Sequence, residues 1–187
     1  MKACILIRHG ATDMAGQFCG HCDPPLNDAG RSQIERAASM LFAAPEMIYC
    51  SDLLRARQSA AILAKRFAIP VEVRSGLQEI GFGQWEGLSW QEIEHRFPVE
   101  SQAWIEQFPI GVIPSGERYD DFCDRVRNEI AFLSAQAELR ALIAVTHGGF
   151  IRTALIDVYS ISSEQAHQIS ACYAAIVDLA HLPAGAQ

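Results

Sequence analysis

The feature that most constrains this chain is the alternation of short apolar runs with longer segments of helical character. Residues 3–7, 47–50 and 141–145 are apolar runs, and a polar residue follows each of them. Runs of this kind are typical of strands that are buried on both faces of a parallel sheet. Because parallel strands need crossover connections, which are usually helical, helices are expected on both faces. The sequence therefore predicts an α/β fold, a three-layer α/β/α sandwich with a mostly parallel central sheet.

Helix signals fill the stretches between these runs. Asn27 is a good N-cap residue for a helix over 28–43, and residues 52–67 carry apolar side chains at helical spacing. Ser89 and Glu92 match a capping box at the start of a shorter helix. The other elements expected from the pattern are helices over 118–138 and 150–158 and strands over 71–74 and 174–179.

Length and charge limit the classes of protein. A chain of 187 residues can bury its own core, so we predict a single domain over 1–187, with a helical or irregular insertion at about 88–116. A net charge of −7 argues against nucleic acid or an anionic membrane as a partner. The N-terminus lacks a signal-peptide pattern, and no apolar run reaches the ~18 residues of a membrane span. The composition indicates a cytoplasmic protein and does not indicate an oligomeric state.

The stretch CGHC at residues 19–22 has the spacing of a dithiol redox centre or of half a zinc site. A redox CxxC motif opens a helix, whereas Pro24 and Pro25 follow here and disfavour one. A zinc site needs a second pair of ligands, and the other cysteines are isolated in the sequence. The pattern favours a plain mobile loop beside a pocket, with redox and zinc chemistry as the alternatives.

Two histidines share a setting that differs from an ordinary surface position. His9 follows an apolar run directly after Arg8, and His147 follows another apolar run and precedes Gly148. Arg55 lies in the first turn of the helix after the second run. Because the carboxyl ends of parallel strands meet at one edge of a sheet, these groups are expected to converge there. Arginine forks and helix N-termini suit phosphate, and neighbouring cations keep a histidine neutral so that it can attack phosphorus.

With these residues in place, the chain resembles the histidine phosphatase superfamily, which has the phosphoglycerate mutase-like fold. Four blocks carry the resemblance in the family's order: ILIRHGAT (5–12), SDLLRARQSA (51–60), LQEIGFGQWEG (77–87) and AVTHGGFIR (144–152). An Arg-His-Gly triplet alone is a weak signal, but four blocks in order are specific. They extend from position 5 to position 152, so the resemblance covers most of the chain.

The resemblance implies a metal-independent phosphomonoesterase that needs no cofactor and acts on a small phosphorylated metabolite. It implies that His9 becomes phosphorylated and that Glu79 protonates the leaving alcohol and then activates water. It also implies a set of phosphate contacts, namely Arg8, Thr12, Arg55, His147 and the backbone at Gly148. The chain departs from the family at Ala11 and Ala15, where many members carry glutamate and asparagine, and Gln17 is a candidate replacement for the asparagine.

The substrate is less constrained than the reaction. The compact chain favours the phosphatases of the family over its mutases, which are typically longer. Residues 22–30 and 114–126 resemble the alpha-ribazole phosphatases of cobalamin synthesis, which suggests alpha-ribazole 5′-phosphate as the substrate. The alternatives are a phosphoglycerate mutase, a broad-specificity sugar phosphatase and, on the CGHC stretch alone, a thiol oxidoreductase.

Several further side chains have two interpretations. Trp85, Trp104 and Phe108 either line a pocket for an aromatic base or pack the insertion onto the domain. Arg152 is expected to pair with a carboxylate rather than with substrate. The other histidines match no motif and are expected to have no catalytic role: His21, His95, His167 and His181.

Overall fold

The computed structural model describes residues 2–41, 45–108 and 110–182, in which the chain forms five strands and seven α-helices. The strands are β1 (Cys4–Arg8), β2 (Met47–Cys50), β3 (Val71–Val73), β4 (Leu142–Thr146) and β5 (Ile176–Asp178). The helices are α1 (Asp28–Met40), α2 (Leu54–Phe67), α3 (Trp90–Arg96), α4 (Pro98–Glu106), α5 (Tyr119–Leu139), α6 (Gly148–Asp157) and α7 (Ser163–Ser170).

The five strands form one sheet in the order β3-β2-β4-β1-β5. β5 is antiparallel to β1, and the other three pairings are parallel. The register pairs Arg8 with Thr146 and Cys50 with Val145, so β1, β4 and β2 end at the same edge. The prediction of a mostly parallel sheet is confirmed, and its carboxyl edge collects the residues that follow three of the strands.

Helices cover both faces of the sheet, because successive side chains of a strand point to opposite sides. One face packs on α5, α6 and α7, with a core that includes Leu6, Tyr49, Ala144, Val126 and Phe150. The other face packs on α1 and α2, with a core that includes Ile7, Ile48, Ile143, Ile34 and Leu63. β2 and β4 are unbroken apolar runs up to their last residues because both of their faces are buried, whereas the edge strand β3 is exposed. The three-layer sandwich is confirmed.

Most element boundaries follow the sequence signals. The Asn27 side chain accepts a hydrogen bond from the Gly30 N–H at 2.8 Å, so the predicted N-cap of α1 is confirmed. α1 ends at Met40, and residues 42 and 43 of the predicted helix lie outside the described residues. The sequence did not predict α7, since this eight-residue helix buries only Ala166 and Ser170 and has no apolar stripe. No helix in the described ranges is long and apolar enough to cross a lipid bilayer.

The segment from residue 88 to residue 116 contains α3 and α4. The predicted capping box is present, since Ser89 accepts from the Glu92 N–H and Glu92 accepts from the Ser89 N–H. An aromatic cluster joins this segment to the rest of the protein through edge contacts, with Phe18 against Trp85 at 6.0 Å and against Trp104 at 6.1 Å. The description of this segment as an insertion into a single domain stays a prediction.

Candidate active site

The two predicted histidines lie side by side at the carboxyl edge of the sheet. His9 follows β1 and His147 follows β4, and the backbone N–H of His9 donates to the Thr146 carbonyl at 2.9 Å. Their ring centroids are 5.0 Å apart. His9 is 7% exposed and His147 is fully buried. The parallel register therefore brings together two imidazoles that are 138 positions apart in the sequence.

The environment of His9 keeps its ring neutral. Its Nδ1 lies 2.7 Å from the Gly10 carbonyl oxygen, which can only accept, so the proton is on Nδ1 and Nε2 carries the lone pair. Burial and the nearby Arg55 and Arg8 guanidinium groups lower the pKa of His9 to about 3. A neutral imidazole with a free Nε2 lone pair is the form that can attack an electrophile.

Arg55 lies beside His9 and is held by the CGHC loop. Its Nε is 3.3 Å from His9 Nε2. Its two terminal nitrogens donate to the carbonyls of Cys19, Gly20 and Cys22 at 2.6–3.2 Å. Arg55 is only 1% exposed. Among the described residues, backbone carbonyls hold its guanidinium in place and no carboxylate pairs with it.

Arg8 is held in a comparable way from the other side. Its Nη1 donates to the Ser170 carbonyl at 3.0 Å and also to the Ala171 carbonyl, at the end of α7. The guanidinium lies over the Tyr173 ring, 4.4 Å from its centroid. Its buried Nε has no hydrogen-bond partner in the described part of the chain. A Cβ at Gly148 would lie 3.1 Å from the Arg8 Cζ, so the glycine lets the guanidinium approach the start of α6.

His147 is bonded on one side only. Its Nε2 lies 2.9 Å from the Ser51 hydroxyl. The Ser51 oxygen accepts a hydrogen bond from the Leu53 N–H, so the hydroxyl proton is available to be donated to His147 Nε2. This arrangement favours the tautomer with the proton on Nδ1, and Nδ1 is buried without a partner. Burial, together with the neighbouring His9 and the two arginines, lowers the pKa of His147 well below its usual value. Buried donors without a partner are rare in proteins, so this N–H is a candidate contact for a ligand.

Glu79 lies at the same edge and is 9% exposed. Its carboxylate accepts from the Gly149 N–H at 2.8 Å and from the Ile80 N–H at 3.1 Å. Its own backbone carbonyl accepts from Arg125 at 3.3 Å and lies 3.1 Å from His21 Nε2. The carboxylate is therefore set against the first turn of α6, close to the arginine and histidine groups.

The remaining predicted contacts are less closely integrated. Thr12 is buried, and its hydroxyl accepts from the Met14 N–H at 3.4 Å in the loop after β1. Ala15 and Gln17 are exposed, and Gln17 pairs with Ser89 through its backbone. The structure brings together Arg8, His9, Arg55, Glu79, His147 and Gly148. The catalytic and binding roles of these residues, and those of Thr12 and Gln17, stay predictions.

The two loop cysteines are poorly suited to redox catalysis. Burial and the Glu86 carboxylate raise the pKa of Cys22 to about 12, and burial raises the pKa of Cys19. A redox CxxC motif needs the opposite shift in its attacking thiol. No group of three or more metal-ligating side chains is found in the described ranges. Instead of the plain mobile loop that the sequence suggested, residues 19–22 form an ordered loop whose carbonyls bind Arg55.

A cavity of about 820 Å³ adjoins Glu79. Its wall includes six aromatic side chains, namely Phe18, Phe82, Trp104, Phe108, Tyr119 and Phe122. Trp104 and Phe108 line the cavity, in agreement with the interpretation of these aromatic residues as pocket lining. Trp85 is instead fully buried in the aromatic cluster, in agreement with the interpretation as packing. Glu79 lines this cavity, and so does Gly149, whose N–H donates to the Glu79 carboxylate.

Arg152 also lines this cavity, and the expectation of a carboxylate partner is wrong. Within the described ranges Arg152 forms no ion pair, and its buried Nε has no hydrogen-bond partner. The two carboxylates that line the same cavity are already engaged, Glu79 with the Gly149 N–H and Glu117 with Arg125. Arg152 is therefore a cation available to a ligand.

The sequence reasoning missed three residues that hold this site together. Tyr173 packs against both Arg8 and His9, and the centroids of the Tyr173 and His9 rings are 5.7 Å apart. Arg125 bonds the carbonyls of residues 76, 78 and 79. Glu86 accepts from the backbone of the CGHC loop. Glu86 and Arg125 lie in sequence segments that resemble known phosphatases, over 77–87 and 114–126, and this resemblance could have pointed to them. Tyr173 lies in no such segment.

The chain is similar in sequence to known phosphatases. Adenosylcobalamin/alpha-ribazole phosphatase of Salmonella typhimurium is 31% identical over 149 residues, which cover 78% of this chain and 74% of that protein. Metal-independent phosphoserine phosphatase of Arabidopsis thaliana is 31% identical over 166 residues, which cover 85% of this chain and 69% of that protein.

The fold has solved counterparts as well. The alpha-ribazole phosphatase from Shigella flexneri matches it with a TM-score of 0.83 at 24% identity, covering 93% of this chain and 88% of that chain. A match to the histidine phosphatase superfamily (branch 1) covers residues 4–186. Because this match extends over almost the whole chain and both relatives are phosphatases, the chain belongs to branch 1 of the histidine phosphatase superfamily and is a phosphatase.

Proposed function

We propose that the protein hydrolyses a phosphomonoester by way of a phosphohistidine at His9, without a metal ion. The observation that carries this proposal is the state of His9, whose ring is neutral with its Nε2 lone pair beside Arg55. In the free enzyme the Arg55 Nε–H points to that lone pair, and a bound phosphoryl oxygen would take over this hydrogen bond. Two guanidinium groups supply the positive charge that a metal ion supplies in other phosphatases.

In the first step His9 Nε2 attacks phosphorus, and the bond from phosphorus to the alcohol oxygen breaks as the N–P bond forms. Glu79, in its protonated form, gives its proton to the leaving oxygen, so the alcohol departs neutral. The Arg8 Nε and the His147 Nδ1 are the buried, unpartnered donors of this site, and in this proposal they bind the phosphoryl oxygens. Arg55, Thr12 and the N-terminal turn of α6 at Gly148 complete the set of contacts.

In the second step water replaces the alcohol. The Glu79 carboxylate takes a proton from this water, whose oxygen attacks phosphorus while the N–P bond breaks and inorganic phosphate is released. The two hydrogen bonds that Glu79 accepts from Gly149 and Ile80 hold it at one place in both steps. One carboxylate therefore serves as acid and then as base.

The test is a hydrolysis assay with p-nitrophenyl phosphate in the presence of EDTA. Wild-type protein should be active, and His9→Ala should lose at least about 10⁴-fold in kcat, because the nucleophile is gone. Acid-labile phosphate should be trapped on wild-type protein and be absent from His9→Ala. Activity that needs a divalent metal, or that persists in His9→Ala, would refute the mechanism.

For the substrate we propose alpha-ribazole 5′-phosphate. The aromatic cavity beside Glu79 supports this proposal, because a flat apolar base can stack against side chains such as Phe18 and Phe108. The relatives named alpha-ribazole phosphatases in Salmonella typhimurium and Shigella flexneri support it as well. A metabolite panel tests it, and we expect the highest kcat/KM for this nucleotide.

A second candidate is a phosphate ester that carries a carboxylate, such as phosphoserine or a phosphoglycerate. Arg152 favours it, since its Nε is buried without a partner in the cavity. Arg152→Gln separates the two candidates. If the substrate is acidic, kcat/KM should fall about 10- to 100-fold, the range of a lost hydrogen bond to a charged group. If alpha-ribazole 5′-phosphate is the substrate, the same change should cost less than about threefold.

A further inference from the structure

Glu86 binds the CGHC loop through backbone N–H groups. Its Oε1 accepts from His21 at 2.7 Å and from Phe82 at 2.8 Å, and its Oε2 accepts from Gly20 at 3.0 Å and from Cys22 at 2.9 Å. Burial alone would raise the pKa of Glu86, but these hydrogen bonds outweigh burial and lower it. One half-buried carboxylate thus satisfies four backbone donors, three of them in the loop.

Arg55 binds the opposite side of the same loop. Its Nη2 donates to the carbonyls of Cys19 at 3.2 Å and Gly20 at 2.7 Å. The Cys19 carbonyl and the Gly20 N–H belong to one peptide group, and the Gly20 carbonyl and the His21 N–H belong to the next. In a trans peptide group the N–H and the C=O point in opposite directions. Two consecutive peptide groups therefore connect the Arg55 guanidinium to the Glu86 carboxylate.

We propose that Glu86 is a positioning residue for the phosphoryl-transfer reaction, which holds Arg55 against His9 through these two peptide groups. The carboxylate at one end and the guanidinium at the other polarise both peptide dipoles in the same sense, so each hydrogen bond strengthens its neighbours. Glu86 itself contacts neither Arg55 nor His9 among its hydrogen bonds, and it acts through the loop. The inference rests on the proposed role of Arg55 as a phosphate contact.

The packing around the loop supports a fixed geometry. A Cβ at Gly20 would lie 2.1 Å from the Ile80 carbonyl and 2.5 Å from Glu86 Oε1, so the loop lies closely on the segment that carries Glu86. The Asp23 carboxylate caps the Leu54 N–H at the start of α2, next to Arg55. The loop is therefore attached to the 80–86 segment on one side and to the helix of Arg55 on the other.

The experiment is a double-mutant cycle on phosphatase activity and on orthovanadate binding. Glu86→Gln removes the charge and turns an NH₂ group toward backbone donors, so the loop carbonyls should shift relative to Arg55. We expect kcat/KM for p-nitrophenyl phosphate to fall about 10- to 100-fold, the usual cost of a small misplacement of a catalytic group, and vanadate affinity to fall in parallel. In an Arg55→Ala background Glu86→Gln should cost less than about threefold in vanadate affinity, because the residue that it positions is absent.

Glu92→Gln is the matched control. Glu92 also accepts a backbone N–H, at 2.8 Å from Ser89, but it caps α3 and does not contact the loop. We expect Glu92→Gln to keep wild-type activity and vanadate affinity. If the Glu86→Gln and Arg55→Ala losses simply add in folded protein, or if Glu86→Gln behaves like Glu92→Gln, the inference is wrong. If Arg55→Ala itself leaves vanadate affinity unchanged, the proposed phosphate site fails instead.

Discussion

The proposed phosphate end and the proposed leaving-group end of this site are built in different ways. At the phosphate end the charged side chains are bonded to backbone atoms, as Arg55 is to three carbonyls and Glu79 to two N–H groups. At the leaving-group end aromatic side chains meet each other by packing, and Phe108 is 57% exposed. Backbone contacts depend on the fold, whereas a packed wall depends on individual side chains.

This difference separates the reaction from its substrate. A substitution at the phosphate end moves groups that the whole fold holds in place, so the chemistry is sensitive to small changes there. A substitution in the aromatic wall changes one contact and leaves the chemistry in place. Relatives of one fold can therefore share a reaction and differ in substrate. The predictions below test this separation, from the largest expected effect to the smallest.

Among the substitutions that keep every catalytic side chain, Gly149→Ala should give the largest effect. A Cβ at Gly149 would lie 2.3 Å from Glu79 Oε1, so the carboxylate has to move although alanine suits a helix. We expect kcat to fall about 100-fold for every substrate, as a misplacement of about 1 Å can cause. Orthovanadate affinity, measured by calorimetry, should change little, because Arg8, Arg55 and His147 stay in place. A loss of vanadate affinity as large as the loss of kcat would contradict this separation of roles.

The buried histidines should make stability depend on pH. The pKa of folded His9 is about 3, against a usual value of 6.5, so between these values the unfolded chain binds a proton that the folded protein does not. The free energy of unfolding is therefore highest above pH 6.5 and falls below it, by about 1.4 kcal/mol per pH unit for each such histidine. His147, whose pKa is also lowered, should contribute in the same direction.

Urea unfolding between pH 7.5 and pH 5 measures this dependence. Four titratable neighbours surround the His9 ring, namely Arg8, Arg55, His147 and Tyr173. His9→Gln removes the titrating group and should reduce the slope of stability against pH by about 1.4 kcal/mol per unit. Phe108→Ala, at the leaving-group end, should leave the slope as in the wild type. Equal slopes in wild type and His9→Gln would show that His9 titrates normally.

Phe108→Ala should change the choice of substrate more than the reaction. Phe108 packs edge-on against Trp104 at 4.8 Å and lines the cavity. Loss of one aromatic contact is worth about 1 kcal/mol, so kcat/KM for alpha-ribazole 5′-phosphate should fall about fivefold. For phosphoserine it should stay within about twofold. Val99→Ala, on α4 and 76% exposed, is the matched control and should change neither value. A fivefold loss on both substrates would place Phe108 at the phosphate end.

Replacing both loop cysteines by serine should have the smallest effect. The loop binds Arg55 through carbonyl oxygens, which Cys19→Ser/Cys22→Ser retains. The Cys22 side chain is hydrogen-bonded to Glu86, and a serine hydroxyl at that position can make the same bond. Hydrolysis of p-nitrophenyl phosphate should fall by less than about threefold. Loss of activity in this variant would contradict this prediction and would support a catalytic role for the thiols of the CGHC stretch.

The four sequence blocks that resemble the family contain most of the predicted site, because strands and helix starts that the sequence pattern predicts lie next to them. Arg8 is the last residue of β1 and His9 follows it, while His147 lies between β4 and α6, which begins at Gly148. The misreadings concern side chains whose partners are distant in sequence. Arg152 was expected to find a carboxylate, but the carboxylates near it are engaged by Gly149 and Arg125, which no local pattern shows.

The sequence by itself determined the sandwich, its parallel sheet and the identity of the groups at the strand ends, because apolar periodicity and strand-end polarity are local properties. Only the tertiary structure decided how those groups are held. Glu86 and the CGHC loop are more than 60 positions apart, and their contact depends on backbone atoms that carry no residue-specific signal. Side-chain types can be read from a sequence, but the direction of a carbonyl or an N–H group is set only when the chain has folded.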